Sequence, residues 1–125
     1  MDIGDKHKLA FVIGERSGRD LRVVDIYIVN ELITFYDNTA YIPQFTYSIE
    51  CEATDIENKN IYDDYFFLDC GPTTDDVKAR GFIEEGCVHL HCELDNGKIV
   101  EAKLPVNYVI TIYRSVAKTL REMQA

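Results

Sequence analysis

Alternating polar and apolar positions in the first third of the chain predict antiparallel strands. Residues 7–13 (HKLAFVI) and 21–29 (LRVVDIYIV) are short and apolar or rich in β-branched residues, and a polar segment with two glycines, 14–20, separates them. Residues 32–36 follow a two-residue break at Asn30–Glu31 and are predicted to form the partner strand of a hairpin. The chain therefore opens as an antiparallel meander.

Residues 37–54 carry two conflicting patterns. From 44 to 54 polar and apolar residues alternate strictly, which indicates a strand. Residues 37–39 (DNT) are N-cap types and Pro43 suits a first helical turn, which indicates a helix. One helical face would carry three residues spaced by four, namely Phe45, Ile49 and Ala53. We predict a helix, because the segment has few Val, Ile and Thr residues, and a strand over 41–54 stays the open alternative.

The second half of the chain shows a clearer pattern. Residues 65–70 (YFFLDC) predict a strand. Residues 71–81 predict a turn that can contain one helical turn, and 82–86 form a short segment before the next strand. Residues 87–104 predict a hairpin that turns at 95–97, because Asn-Gly supplies the positive φ angles of such a turn. The last twenty residues predict a helix with an apolar stripe formed by Val109, Ile112, Val116, Leu120 and Met123.

These elements predict an α+β fold: an antiparallel β-sheet, made of the meander and the hairpins, packed against a C-terminal helix and a second helix in the middle of the chain. A length of 125 residues favours a single domain, 1–125. No apolar run approaches the ~20 residues of a membrane helix. The apolar patch near the N-terminus is too short for a secretory signal, so we expect a cytoplasmic protein without membrane contact.

The charge distribution suggests the class of partner. The chain has 22 acidic and 13 basic residues, a net charge of -9, and the excess of acid is greatest between residues 50 and 95. Such a surface repels nucleic acid, whereas it attracts a basic protein. Within this segment Tyr62, Asp63, Asp64 and Tyr65 combine acid with tyrosine, a residue enriched at protein interfaces. We therefore expect binding to a basic partner and none to nucleic acid.

The nine residues LDCGPTTDD, 68–76, contain the pattern D-x-G-x-T, which occurs in the phosphate loop of actin-like and sugar-kinase domains. Those domains are far longer than this chain. Capping explains the residues better, because Thr73 can cap a short helical turn with Asp76 as its capping-box partner and Pro72 ahead of it. We therefore predict a turn rather than a phosphate site.

A second candidate for chemistry is the segment Cys87-Val-His89-Leu-His91-Cys92. On a strand Cys87, His89 and His91 share one face, and imidazole and thiolate groups bind zinc. No complete ligand set is evident, although His7 could lie nearby, so we expect histidines on a half-solvated sheet face and neither metal nor cofactor. The chain has no P-loop, dinucleotide or nucleophile-elbow motif, so we do not expect an enzyme. A small metal-binding or enzymatic domain using these three residues remains the alternative.

Four stretches carry a family resemblance: IGDKHKLAFVI, DIYIVNELITFYDNTAYIPQF, FLDCGPTTDDV and LPVNYVITIYRSVAKTL. The chain resembles the small immunity proteins of bacterial polymorphic-toxin and contact-dependent growth inhibition systems. In similar proteins a strand meander leads to a D-N-x-x-Y-x-P-x-F helix, a G-P-T-T-D turn follows the next strand, and a helix closes the chain. The resemblance implies a cytoplasmic antitoxin that binds one cognate toxin domain and blocks its active site.

Many toxins of such systems are nucleases, whose active sites are basic because they hold phosphates. An acidic inhibitor can occupy such a site as a polyanion mimic. We therefore expect partner contacts from the segment 50–95, through Tyr62, Asp63, Asp64, Asp75, Asp76, Glu84 and Glu85. A third possibility is a general adaptor domain without a toxin partner, and the neighbouring gene would distinguish these classes.

Overall fold

Strands come first along the chain, and each group of strands is followed by a helix. The computed structural model describes residues 1–34, 38–69 and 77–124, and the statements below concern those residues. The elements of the first half are β1 (Asp2–Asp5), β2 (Leu9–Gly18), β3 (Leu21–Ile28), β4 (Glu31–Leu32), β5 (Thr39–Tyr41) and α1 (Ile42–Glu57). The elements of the second half are β6 (Tyr65–Phe67), β7 (Val77–Glu84), β8 (Cys87–Leu94), β9 (Ile99–Pro105) and α2 (Val106–Gln124).

The first sheet is an antiparallel meander in the order β1-β2-β3-β4, and β5 also pairs with β3. The predicted meander is confirmed, but two of its bounds are wrong. β2 continues through most of the predicted turn to Gly18, because register shifts between Ile13 and Gly18 let it stay paired with β3. β4 ends at Leu32, short of the predicted strand 32–36, and residues 35–37 lie outside the described part.

The helix predicted in the middle of the chain is confirmed as α1. Its buried face includes the predicted residues at spacing four, Phe45, Ile49 and Ala53. Pro43 occupies the first turn as expected, but the N-cap is Tyr41, which makes no side-chain capping bond. The predicted cap at 37–39 is therefore wrong for Thr39, which pairs with Val23 in the first sheet. The helix prevails over the alternating pattern because it buries this apolar face.

The second sheet is antiparallel in the order β6-β7-β8-β9. The hairpin predicted at 87–104 is confirmed as β8 and β9, with Gly97 at a φ of 86° in its turn. The predicted turn at 71–81 is wrong over its last residues, because Val77 begins β7; positions 71–76 lie outside the described residues. In β7 Ala79 and Gly81 are buried while their neighbours are exposed, a strand pattern that short or absent side chains conceal in the sequence.

One continuous apolar core connects the two sheets and both helices. Phe11 of β2 lies at its centre, with edge-to-face contacts to Phe45 of α1 at 6.3 Å and to Tyr113 of α2 at 6.1 Å between ring centroids. The predicted stripe of α2 is buried at four of its five positions and half-buried at Met123. The α+β class is thus confirmed, with the strands divided between two sheets where one was expected.

Two side-chain links fix α2 to the first sheet at its two ends. Near the start of the helix the Tyr108 hydroxyl donates to the Leu9 carbonyl oxygen at 2.8 Å. Near its end the buried Arg22 guanidinium donates to Gln124 Oε1 at 3.0 Å and to the Gly14 carbonyl oxygen at 2.9 Å. Neither described helix is long and apolar enough to cross a lipid bilayer.

Candidate functional site

A pocket of about 340 Å³ lies between α1 and the start of the second sheet. Helix α1 contributes three residues at spacing four, Tyr47, Cys51 and Asp55, so they share one face. The segment that follows the helix contributes aromatic rings and a further carboxylate. The full lining is acidic and aromatic: Tyr47, Ser48, Cys51, Glu52, Asp55, Tyr62, Tyr65, Phe66 and Asp69. We call this the acidic-aromatic pocket.

The tyrosines of the pocket combine exposed rings with one fixed ring. Tyr62 is 69% exposed and Tyr47 is 67% exposed, large values for aromatic side chains. Tyr62 contacts Tyr65 edge to face with ring centroids 5.4 Å apart. The Tyr65 hydroxyl donates to Asp55 Oδ2 at 3.1 Å, which fixes its ring at the inner end of the pocket. Aromatic rings beside carboxylates attract cations in two ways, because the ring face and the neighbouring carboxylates both carry negative charge.

Glu52 is a buried carboxyl among the pocket's lining residues, with only 5% of its surface exposed. Its Oε1 accepts a hydrogen bond from the Leu68 backbone N–H at 2.7 Å. Burial raises the pKa of Glu52 to about 8; hydrogen bonds with Tyr113 and Leu68 lower it, and the charges of Asp69 and Asp55 raise it. Among the described residues none donates a hydrogen bond to Oε2. At neutral pH this carboxyl is therefore mostly protonated.

Arginines neutralise several acids elsewhere on the molecule, but not those of the pocket. Glu50 pairs with Arg121 and Glu57 pairs with Arg114 across the two helices. The Arg114 hydrogen bonds lower the pKa of Glu57. In the described ranges no Lys or Arg lies within ion-pair distance of the acids at the pocket or beside it, namely Asp55, Asp63 and Asp69. Unneutralised negative charge therefore accumulates at the acidic-aromatic pocket.

The structure brings part of the expected contact set together. Tyr62 lines the pocket and Asp63 is exposed beside it, whereas Asp64 pairs with Arg80 at 3.8 Å. Because Tyr65 pairs with Gly81 in antiparallel register, residues 62–64 and the exposed positions 84–85, where β7 ends, lie at the same end of the second sheet. This end of the sheet carries Tyr62, Asp63, Asp64, Glu84 and Glu85. Asp75 and Asp76 lie outside the described residues.

Of the pocket residues that were not predicted from the sequence, four are the exposed tyrosine of α1 and the three acidic residues: Tyr47, Glu52, Asp55 and Asp69. Three of them belong to α1, and a helical projection of residues 42–57 would have placed Tyr47 and Asp55 on one face. Asp69 comes from a different segment, and only the tertiary fold brings it to the helix.

The alternative site, Cys87, His89 and His91, occupies the outer face of the second sheet as expected for alternate strand positions. The His89 ring stacks on Phe82 with centroids 4.7 Å apart, and His91 lies 3.8 Å from carboxylate oxygens of both Glu93 and Glu101. Across the described ranges no group of three or more His, Cys, Asp or Glu side chains is arranged to hold a metal ion.

The same outer face borders a larger cavity, about 780 Å³. Most of its charged groups contact one another or a ring: Arg80 pairs with Asp64 and lies over the Phe66 ring at 5.1 Å, and His91 lies beside Glu93 and Glu101. The smaller acidic-aromatic pocket differs from this cavity, because no Lys or Arg of the described residues forms an ion pair with its carboxylates Asp55 and Asp69.

Comparison with known proteins yields no match for this chain, whether to a protein-family model, a curated protein or a solved structure.

Proposed function

We propose that this protein is a cytoplasmic antitoxin, an immunity protein that binds a basic, nuclease-type toxin domain and blocks its active site. The observation that carries the proposal is the accumulation of unneutralised carboxylates beside exposed tyrosines, at Asp55, Asp69 and Tyr62. The resemblance of the sequence to small bacterial immunity proteins supports the same conclusion.

The two kinds of side chain at this end of the molecule have different roles in the proposal. Exposed acids such as Asp63, Glu84 and Glu85 attract a basic surface from a distance, so they raise the association rate in a salt-dependent way. Tyrosines supply large contact area at low entropic cost and act as anchors once the surfaces meet. A nuclease active site suits both, because it must be positively charged to hold phosphates.

Co-expression with the product of the gene directly upstream tests the proposal. We expect that product to carry a toxic domain that arrests growth alone, and we expect this protein to restore growth and to co-purify with the domain. A toxin that arrests growth equally in the presence of this protein contradicts the proposal, as does a metabolic enzyme encoded upstream.

The alternative, a metal or enzymatic domain at Cys87, His89 and His91, has less support because both imidazoles already have stacking or charged neighbours. Elemental analysis of the purified protein separates the two. A full equivalent of zinc would favour the alternative, since structural zinc sites are stoichiometric.

A further inference from the structure

Strand β9 forms one edge of the second sheet, and in the described residues this edge is open. There β9 pairs with β8 alone, and no residue outside β8 forms a backbone hydrogen bond to Ile99, Glu101 or Lys103. All three side chains are exposed, and Ile99 is 47% exposed, a large fraction for an apolar residue. A seven-residue strand with free backbone groups can pair with a further strand.

The hydrogen bonds at the two ends of the β8–β9 ladder show which backbone groups are free. The Leu94 N–H donates to the Lys98 carbonyl oxygen at 2.9 Å. At the other end the Val106 N–H donates to the Gly86 carbonyl oxygen, also at 2.9 Å. Hydrogen-bonded and non-hydrogen-bonded pairs alternate along an antiparallel ladder, so the even-numbered residues of β9 bond to β8. The odd-numbered residues therefore direct their backbone groups to the open side.

A second copy of β9 fits this edge in one particular register. Two identical strands that pair about a two-fold axis run antiparallel, and only residues whose backbone groups face the open side can exchange hydrogen bonds. With the axis at Ala102, Glu101 lies opposite Lys103 of the second copy, and Ile99 lies opposite Pro105. Opposite charges directly across two strands are favourable. Pro105 lacks an N–H, but its carbonyl oxygen can accept from Ile99.

Charge and backbone geometry disfavour the neighbouring registers. An axis at Glu101 places two glutamates directly opposite each other, and an axis at Lys103 does the same with two lysines. An axis midway between two residues aligns free backbone groups with groups that already bond to β8. The register at Ala102 also brings Val100 opposite Leu104 of the second copy, so the buried side of the sheet stays apolar across the contact.

We propose that two copies of this protein associate through β9, antiparallel about a two-fold axis at Ala102, so that two four-stranded sheets become one continuous sheet. The opposite edge of each sheet is β6, whose Tyr65 and Phe66 line the acidic-aromatic pocket, so both pockets stay open to a partner. The self-association does not depend on the proposed function. A contact along one strand is smaller than a standard interface, so the association is weak and concentration-dependent.

Sedimentation velocity from about 10 µM to about 1 mM, the range suited to a small interface, tests the proposal. The wild type should shift with concentration from the 14.4 kDa chain toward twice that mass. Glu101→Lys and Lys103→Glu each place like charges opposite each other on both sides of the axis, so each should raise the dissociation constant at least about tenfold. An equimolar mixture of the two variants should associate as the wild type does, because the lysines of one variant then face the glutamates of the other.

Two matched controls make the same charge reversals on exposed positions of the neighbouring strands. Glu93→Lys lies on β8 and Lys78→Glu lies on β7, and both residues are exposed and paired with each other in the sheet. Both variants should associate as the wild type does, since neither residue lies on the open edge. Equal weakening by the controls would assign the effect to net charge and overturn the β9 contact.

Ala102→Cys checks the register independently of charge. Residues directly opposite in a non-hydrogen-bonded pair have Cα atoms about 4.5 Å apart, which is within the range that a disulfide can bridge. After mild oxidation, peptide mapping should therefore find a link between position 102 of one copy and position 102 of the other.

Four results would overturn the proposal. They are a wild type that is still monomeric at about 1 mM, single reversals that associate like the wild type, a mixture that associates no better than its components, and the absence of a link between two copies at position 102. A monomer whose β9 amides are protected from exchange only in complex with another protein would assign this edge to that partner, and would likewise overturn it.

Discussion

The buried carboxyl of Glu52 accepts a 2.7 Å hydrogen bond from the backbone N–H of Leu68, sixteen residues further along the chain. Leu68 is fully buried and has a φ of 58°, a left-handed conformation that few residues other than glycine adopt. The bond satisfies a buried N–H at the point where the chain leaves β6, and it ties that point to the middle of α1. Glu52 therefore has a structural role as well as a place in the pocket.

The burial of Glu52 predicts a pH-dependent stability that Glu52→Gln removes. Burial raises the pKa of Glu52 to about 8, so between pH ~4.5 and ~8 the folded protein keeps a proton that the unfolded chain has released. The stability that this group contributes is complete below pH ~4.5 and is lost as the pH rises to ~8, by about 5 kcal/mol at most. Glutamine resembles the protonated form and does not titrate.

Urea unfolding of both proteins at pH 5 and pH 8.5 measures this difference. Glu52→Gln should be close to the wild type at pH 5 and more stable than the wild type by several kcal/mol at pH 8.5. A difference between the two proteins that is the same at both pH values would show that Glu52 does not titrate in this range.

The close approach of β7 and β8 predicts that Gly81→Ala is strongly destabilising. A Cβ at Gly81 would overlap the His89 carbonyl oxygen and lie 3.2 Å from Phe67 Cε2, so the backbone of the second sheet would have to move. We expect a loss of about 3 kcal/mol or more in the free energy of unfolding, or a protein that does not fold.

Gly86→Ala is the matched control for this substitution. Gly86 has a φ of 73° but no atom within 4 Å of an added Cβ, so only conformational strain is expected, about 1 kcal/mol. Chemical denaturation of both variants gives the comparison, and equal losses would rule out the steric explanation at Gly81.

Arg22→Met tests the link between the first sheet and the end of α2. Arg22 is 9% exposed and donates to both Gln124 Oε1 and the Gly14 carbonyl oxygen, whereas methionine keeps only the apolar part of the side chain. We expect a loss of about 2 kcal/mol and faster amide exchange in the last turn of α2. Arg16→Met, at an exposed position of β2, should change stability by less than about 0.5 kcal/mol. Similar losses in the two variants would contradict a specific role for Arg22.

The sequence predicts those elements whose local pattern agrees with the final packing. Helix α1 follows from the spacing of Phe45, Ile49 and Ala53, and the β8–β9 hairpin follows from its Asn-Gly turn. Strand β7 is missed because its inward positions include Ala79 and Gly81, whose small side chains give a weak apolar signal. The division into two sheets is also missed, because it depends on pairings between segments that the pattern of each strand does not specify.

The candidate site likewise contains residues that the sequence predicts and residues that it does not. Tyr62 and Asp63 are found from the sequence because acid and tyrosine lie side by side in the chain. The three carboxyl groups of the pocket are not found from the sequence, since Asp69 lines the same pocket as Glu52 and Asp55 only after α1 and β6 have packed together. The burial of Glu52 is equally hidden, because a glutamate in a polar-looking segment is normally expected to face water.

In the proposed complex the acidic-aromatic pocket, rather than the net negative charge, binds the basic partner. Dissociation constants of complexes formed by two charge-matched double variants distinguish these two sources of affinity. Asp55→Asn/Asp69→Asn neutralises the pocket, and Glu93→Gln/Glu101→Gln removes the same charge from the outer face of the second sheet. We expect at least about tenfold weaker binding for the first double variant and less than about twofold change for the second. Equal effects of the two double variants, or none from the first, would contradict it.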